Sequence, residues 1–170
     1  VVGTNSEILI PGITVSTGGS KQLLIRAAGP ALTGFGVTGV LARPQLRLLR
    51  NTTEIASNSG WDGSAATSAA FTAVGAFGFA PGSADCAIIA TVEPGTSYTA
   101  QVSGVNNSTG VALVEVYELG ASAAKLINLS CRARVGTGGD VLIPGLTITG
   151  TGAKQLLIRA AGPILPPFGV

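Results

Sequence analysis

The chain contains no histidine and no methionine, and only one tryptophan, two cysteines and 11% charged residues over 170 positions. Each shortage removes a class of function. Without histidine the commonest general base is missing, and with it the usual Ser-His-Asp and Cys-His arrangements. Two cysteines and no histidine do not make an ordinary zinc site. The acids are Glu7, Glu54, Asp62, Asp85, Glu93, Glu115, Glu118 and Asp140, well spread along the sequence. Glu115 and Glu118 lie three apart and fall on opposite faces of a strand. No spacing favours a catalytic carboxylate pair. The chain reads as a non-enzyme, with no cofactor and no metal.

Charge is scarce in both signs. Ten Lys/Arg against eight Asp/Glu leave a net charge of +2. The densest basic group is Arg43, Arg47 and Arg50, with no aromatic residue interleaved. It reads as a solvated strand face, because a nucleic-acid surface needs more charge and stacking side chains. An ordinary globular chain is roughly 25% charged. The outer surface here is therefore built of Ser, Thr, Gly and Asn, or is buried against neighbours. No run of 18 uncharged apolar residues occurs, so no transmembrane segment is expected.

What the chain has in abundance is repetition. The decapeptide KQLLIRAAGP occurs at residues 21–30 and again at 154–163. Around it, residues 2–37 align without a gap on 135–170 at a constant offset of 133, with 23 of 36 positions identical. Several of the remaining pairs are mild swaps, such as Glu7/Asp140, Ile13/Leu146, Val15/Ile148 and Ser16/Thr149. A fixed offset of domain length marks a tandem array.

Short apolar runs between Gly, Pro, Asn and Ser recur every 8–12 residues or so, the pattern of an all-β chain. Strands are expected at 7–15, 22–28, 45–49, 86–92, 98–105, 111–119 and 125–135, and in the second copy at 140–148 and 155–161. Leu23, Leu24 and Ile25 are apolar on both faces, which places them centrally or under a covering element. Pro94-Gly95 and the polar tip at 106–110 read as hairpin loops. Pro11-Gly12, repeated at Pro144-Gly145, marks a bulge or an edge. One helix is expected over 64–74, capped by Asp62 or Ser64 and closed at Gly75. The fold class is all-β: a two-sheet antiparallel β-sandwich, Ig-like or jelly-roll-like, with at most one short helix.

The repeat also sets the expected boundaries. Residues 120–124 (GASAA) read as a linker, and 125–135 as a strand with Lys125, Ile127, Leu129, Cys131, Ala133 and Val135 on one face. That strand precedes the second copy, but the first copy has no counterpart, since the sequence opens at Val1. On this frame residues 1–119 form a sandwich lacking its first strand, and 125–170 begin the next repeat. The six residues from Lys125 to Val135 become a candidate assembly strand, donated to another copy by strand addition. Such a head-to-tail contact does not close and gives a filament. The plainer alternative is a window of a longer beads-on-a-string polypeptide.

Three smaller groups complete the inventory. Cys86 and Cys131 lie on apolar faces of expected strands, so a disulfide between sheets or between neighbours competes with two buried thiols. Asn58, Trp61 and Asp62 share a loop, which is either a weak sugar or calcium site or a packed loop anchor. Arg26 and its twin Arg159 sit in apolar strands and need an acid such as Glu7, Asp140 or Glu115.

The order NLSCRARVGTG, VLIPGLTI, KQLLIRAAGP, FGVTGVLARPQLRL, a lone Trp, YTAQVSGV and GVALVEVYEL resembles a repeat of very large secreted or surface proteins of verrucomicrobial-type bacteria. The resemblance covers essentially the whole period. It implies an extracellular or cell-surface β-sandwich, often beside immunoglobulin-like modules, and brings no catalytic residues. Family members carry Ser or Thr where Cys131 stands, so the cysteine pair is particular to this chain. The expected function is a structural subunit of an extracellular filament, sheath or surface array, self-assembled head to tail through strand contacts. The competing expectation is a carbohydrate-binding or adhesive module, with glycan as partner.

Overall fold

Turn-forming residues cut the chain into strands short enough to stack as two layers. The computed structural model describes residues 1–166. Its strands are β1 (Ile10–Val15), β2 (Lys21–Ala28), β3 (Pro44–Arg50), β4 (Thr53–Asn58), β5 (Cys86–Val92), β6 (Tyr98–Gly104), β7 (Leu113–Leu119) and β8 (Leu126–Arg132). One sheet has five strands in the order β4-β3-β6-β1-β8, and the other three in the order β5-β2-β7. All pairings between these strands are antiparallel. The molecule is a two-sheet β-sandwich.

The core follows from period-two alternation. Ile13 and Val15 of β1, Leu46 and Leu48 of β3, and Ala100 and Val102 of β6 point inward against Leu23 and Ile25 of β2. Each fully buried branched side chain contributes about 1.5–3 kcal/mol of transfer free energy. β2 is apolar on its other face as well. There Leu24 and Ala28 lie under a second cluster formed by Ala70, Phe71 and Phe79. The helix α1 (Ala65–Ala73) supplies two of these residues, with Thr67, Ala70 and Phe71 buried on one side at helical spacing. Ser64 caps it by accepting from the Thr67 amide at 3.1 Å. Gly75, at φ 70°, ends it in the left-handed conformation that side chains avoid.

The structure departs from the sequence expectation in five places. Strand β4 was missed because Thr53–Asn58 carries a single large apolar residue, Ile55, and lies at an edge where half-burial leaves no pattern. Pro94-Gly95 joins β5 to β6 and the 106–110 tip joins β6 to β7, but each pair lies in different sheets. Both are crossovers between layers and not hairpins; the hairpin between consecutive strands is β3–β4, turned at Asn51 with φ 53°. Pro11 is inside a strand flanked on both sides. Leu9 exchanges backbone bonds with Val102, and the ladder resumes at Gly12↔Thr99. By the alternation of an antiparallel pair, Pro11 stands at the next β6-facing position, where it has no N–H to give.

The fourth departure concerns the boundary. β8 lies beside β1 of the same chain, with Ile10↔Arg132, Gly12↔Ser130 and Ile13↔Leu129 in register. The sandwich runs on to Arg132, and the place beside β1 is filled in cis. Residues 120–124 are a packed crossover and not a free linker. Ala124 is fully buried, and Ser122 donates to the Ser20 carbonyl at 2.9 Å. The fifth departure is that 140–148 and 155–161 form no strands. The ladder and core partners that hold β1 and β2 are already occupied by the first copy.

Candidate functional site

The residues marked for assembly gather at one margin of the five-stranded sheet. β8 is the edge strand there, and Glu118 fixes its start. The Glu118 carboxylate accepts from the Leu126 amide at 2.5 Å and lies 3.2 Å from Lys21 Nζ and 3.7 Å from Lys125 Nζ. Burial works against its charge, but the Leu126 amide and the two ammonium groups outweigh it and lower its pKa. Register places Leu129 opposite Ile13 and Cys131 opposite Pro11, hence on the inward face. The three-stranded sheet does not reach this far, so Leu129 stays 54% exposed; Ile127, expected on the same face, is 63% exposed at a register shift that sets Leu126 instead opposite Val15 and against the core. Cys131 and Val135 are exposed too, and Ala133 is half-buried. The strand has one charged residue, Arg132 at its end, so its free edge carries little of the charge that usually guards a sheet margin.

Beyond β8 the described residues of the second copy are nearly all exposed. Leu142, Ile143, Leu146, Ile148, Leu157 and Ile158 are all exposed. One local feature survives from the first copy. Gly3 N–H donates to Glu7 O at 3.0 Å and Glu7 N–H to Thr4 O at 3.0 Å; Gly136 and Asp140 make the same pair of bonds at 2.7 and 3.1 Å. The two turns face a shared cavity of about 370 Å³ lined by Gly3, Glu7, Arg134, Gly136, Thr137 and Asp140. Arg134 Nη1 bridges it to Glu7 Oε1 at 2.7 Å. A turn needs only its own five residues, whereas a strand needs a neighbour. That difference separates what the second copy keeps from what it lacks.

The Asn58, Trp61 and Asp62 loop is a packed anchor. Trp61 stacks on Phe71 at 5.6 Å and meets Phe79 edge-on, and its indole N–H donates to the Ala80 carbonyl at 3.0 Å. Asp62 accepts from the Ser64 amide at 3.0 Å, which lowers its pKa. Asn58 donates to Gly60 O at 2.9 Å and accepts from the Ala87 amide at 3.1 Å. All three side chains make bonds within the fold. Among the described residues no group of three acids or cysteines is placed to hold a metal.

Cys86 and Cys131 are both free. The disulfide between sheets is not formed, because Cys86 is buried in β5 while Cys131 lies at the exposed margin of the other sheet. Burial pushes the Cys86 thiol from its ordinary 9.0 up to about 11. The position therefore contributes its full stability below pH 9 and loses it as pH rises through about 11. At neutral pH, one thiol per folded chain is expected to react with a disulfide dye, and the second only after denaturation. Two fast thiols in the folded protein would refute this placement.

Two arrangements escaped the sequence reading. Asp85, fully buried, accepts from the amides of Gly29 at 2.6 Å and Ala31 at 3.2 Å and from the Ser83 hydroxyl. It ties the end of β2 and the 3-10 turn Pro30–Phe35 to the start of β5. Arg26 lies fully buried with its guanidinium carbon 4.0 to 4.5 Å from the ring centres of Phe71, Phe77 and Phe79. Glu115, its partner across the β2–β7 ladder, is 3.4 Å away. The sequence offered Glu115 as one of three candidates; the Phe cage gave no signal, since its members are distant in sequence from Arg26.

Comparison with family models, with curated proteins and with solved structures gives no match to this chain.

Proposed function

We propose that this protein is a structural subunit of an extracellular filament, sheath or surface array, joined to its neighbours through β-strand contacts. One observation carries the reading. KQLLIRAAGP is the most deeply buried strand when it stands at residues 21–30 and is bare when it stands at 154–163. An apolar strand of that composition is soluble only transiently unless something covers it. A chain that displays one is built to meet another surface of its own kind. The lightly guarded edge of β8, the low surface charge and the resemblance to large secreted repeat proteins support the same reading. A free edge of one sandwich and an unpaired strand of the next form a heterologous contact, which propagates instead of closing.

The test is direct. Purified chain is expected to form ordered fibres or arrays in negative-stain micrographs, and a version lacking residues 135–170 to stay dispersed. A full-length chain that remains monomeric at high concentration, or fibres that survive the deletion, would remove the basis of this reading.

A further inference from the structure

The structure gives each position of the repeat a burial, and this shows what the second copy has preserved. Thirteen residues of 2–37 are buried, and eleven of them recur unchanged 133 positions later. The two that differ are Ile13, replaced by Leu146, and Val15, replaced by Ile148. The first swap is isomeric and the second adds one methylene, both within what a core absorbs. Every other difference between the copies falls on a half-buried or exposed position. The charges are kept with the core. Lys21 and Arg26 pair with Glu118 and Glu115, and their twins are Lys154 and Arg159. The second copy therefore matches the cavity of this same sandwich at eleven of its thirteen buried positions and nearly so at the other two.

The chain path matches as well. Ile10↔Arg132 sets the start of β1 beside the end of β8. Ile143, the twin of Ile10, follows Arg132 in sequence after residues 133–142. Placed in the β1 position it would pair with Arg132 in the register that Ile10 now holds, as the second arm of a hairpin. The turn needed within that connection is already folded, Gly136 to Asp140, and lies against the turn of the first copy. Adjacent ends of this kind are the geometry that permits circular permutation.

We propose that residues 135–163 are a second, mutually exclusive occupant of the place held by residues 2–30, supplied by the same chain. The sandwich of β3 to β8 closes with either copy. Whichever copy is inside, the other is released as an exposed apolar segment, leading from β8 in one state and into β3 in the other. The same molecule thus displays its exposed apolar segment on either side of the β3–β8 portion of its fold. This inference stands apart from the filament reading, because exchange takes place within a monomer.

Leu24 and Leu157 are twins, 0% and 86% exposed, and Leu24→Asp puts a carboxylate into the second core cluster. A sandwich with one copy of β2 would be lost to such a change. Here Leu24→Asp is expected to keep a cooperative unfolding transition, because the second copy takes over. Leu157→Asp is expected to be silent, and Leu24→Asp with Leu157→Asp to lose the transition entirely. A thiol probe reports the exchange itself. Pro11 is the cross-strand partner of Cys131, in a non-hydrogen-bonded pair close enough for a disulfide. With Cys86→Ala throughout, Pro11→Cys should link to Cys131 in the otherwise unaltered chain. Pro144→Cys should link to Cys131 within the same chain once Leu24→Asp is present. Two outcomes overturn the proposal: Leu24→Asp as unfolded as the double variant, or position 144 linking to Cys131 only between chains. Fibre formation by the unaltered chain is a separate result, and it can succeed or fail under either outcome.

Discussion

Asp85→Ala is expected to lower stability by roughly 3–5 kcal/mol. The carboxylate is fully buried and satisfies the amides of Gly29 and Ala31 and the Ser83 hydroxyl. Truncation to Ala strands those donors. Gly29 is itself buried, and a Cβ there would stand 2.1 Å from the Leu41 carbonyl oxygen, so the chain is too closely packed at this point to admit a substitute side chain. Each buried donor left without a partner costs about 1–3 kcal/mol. Asp85→Asn keeps one acceptor oxygen, and its loss should be about half as large. Thermal unfolding followed by Trp61 emission is the measurement, because Trp61 N–H bonds the Asp85 carbonyl and its ring packs on the neighbouring Phe cluster. A fall in Tm of about 10–20 °C is expected for Asp85→Ala. A Tm within a few degrees of the parent would show that these bonds do not hold the turn.

The sequence carried the β architecture, and the reason lies in particular residues. β5 is bounded by Cys86 and Val92 and β6 begins at Tyr98, all read from apolar alternation between turn formers. The double-sided apolar character of Leu23, Leu24 and Ile25 announced a covering element over β2, which α1 and Phe79 provide. Pairing was less legible. Pro94-Gly95 has the composition of a hairpin turn, but β5 and β6 belong to different sheets. Turn chemistry fixes the local reversal and says nothing about which layer the next strand joins. The candidate strand at 125–135 was found by alternation, while its partner was assigned from the phase of the repeat. The ladder answers that differently, since β8 lies beside β1 of its own chain. Leu126 packs on the core opposite Val15, while Leu129 and Cys131 face inward and remain uncovered because the opposing sheet is two strands narrower. The Trp61 loop shows the converse. A lone Trp beside Asp and Asn attracts a ligand reading in sequence, whereas the packing the structure adds is four hydrogen bonds and two ring contacts within the fold.

Arg26 should show two opposite results from one position. Among the described residues its Nε, Nη1 and Nη2 have no hydrogen-bond acceptor, and the Glu115 Oε2 facing them has no donor. What holds the cation is the Coulomb attraction of Glu115 and the faces of three Phe rings. A desolvated cation over an aromatic face gains about 2 kcal/mol or more. Desolvation lowers the Arg26 pKa, against the pull of Glu115, Tyr117 and Asp85. Removing the cation alone strands Glu115 in a site where Tyr117 is its remaining partner, through a 2.6 Å hydrogen bond. With Leu157→Asp present throughout the cycle, so that the second copy cannot take the place of the first, Arg26→Met should therefore cost about 3–5 kcal/mol even though the volume is nearly kept. Removing both charges relieves both desolvation penalties at once. Arg26→Met with Glu115→Leu is expected within about 1 kcal/mol of the parent, or above it. Denaturant midpoints of the four proteins in this cycle give the coupling between Arg26 and Glu115 directly. Coupling near zero would mean that the Phe cage alone retains the guanidinium. A coupling of several kcal/mol means the pair persists because neither member can be lost first. On that result, Lys would be a poor replacement at position 26, since a compact ammonium cannot lie flat against Phe71, Phe77 and Phe79 together.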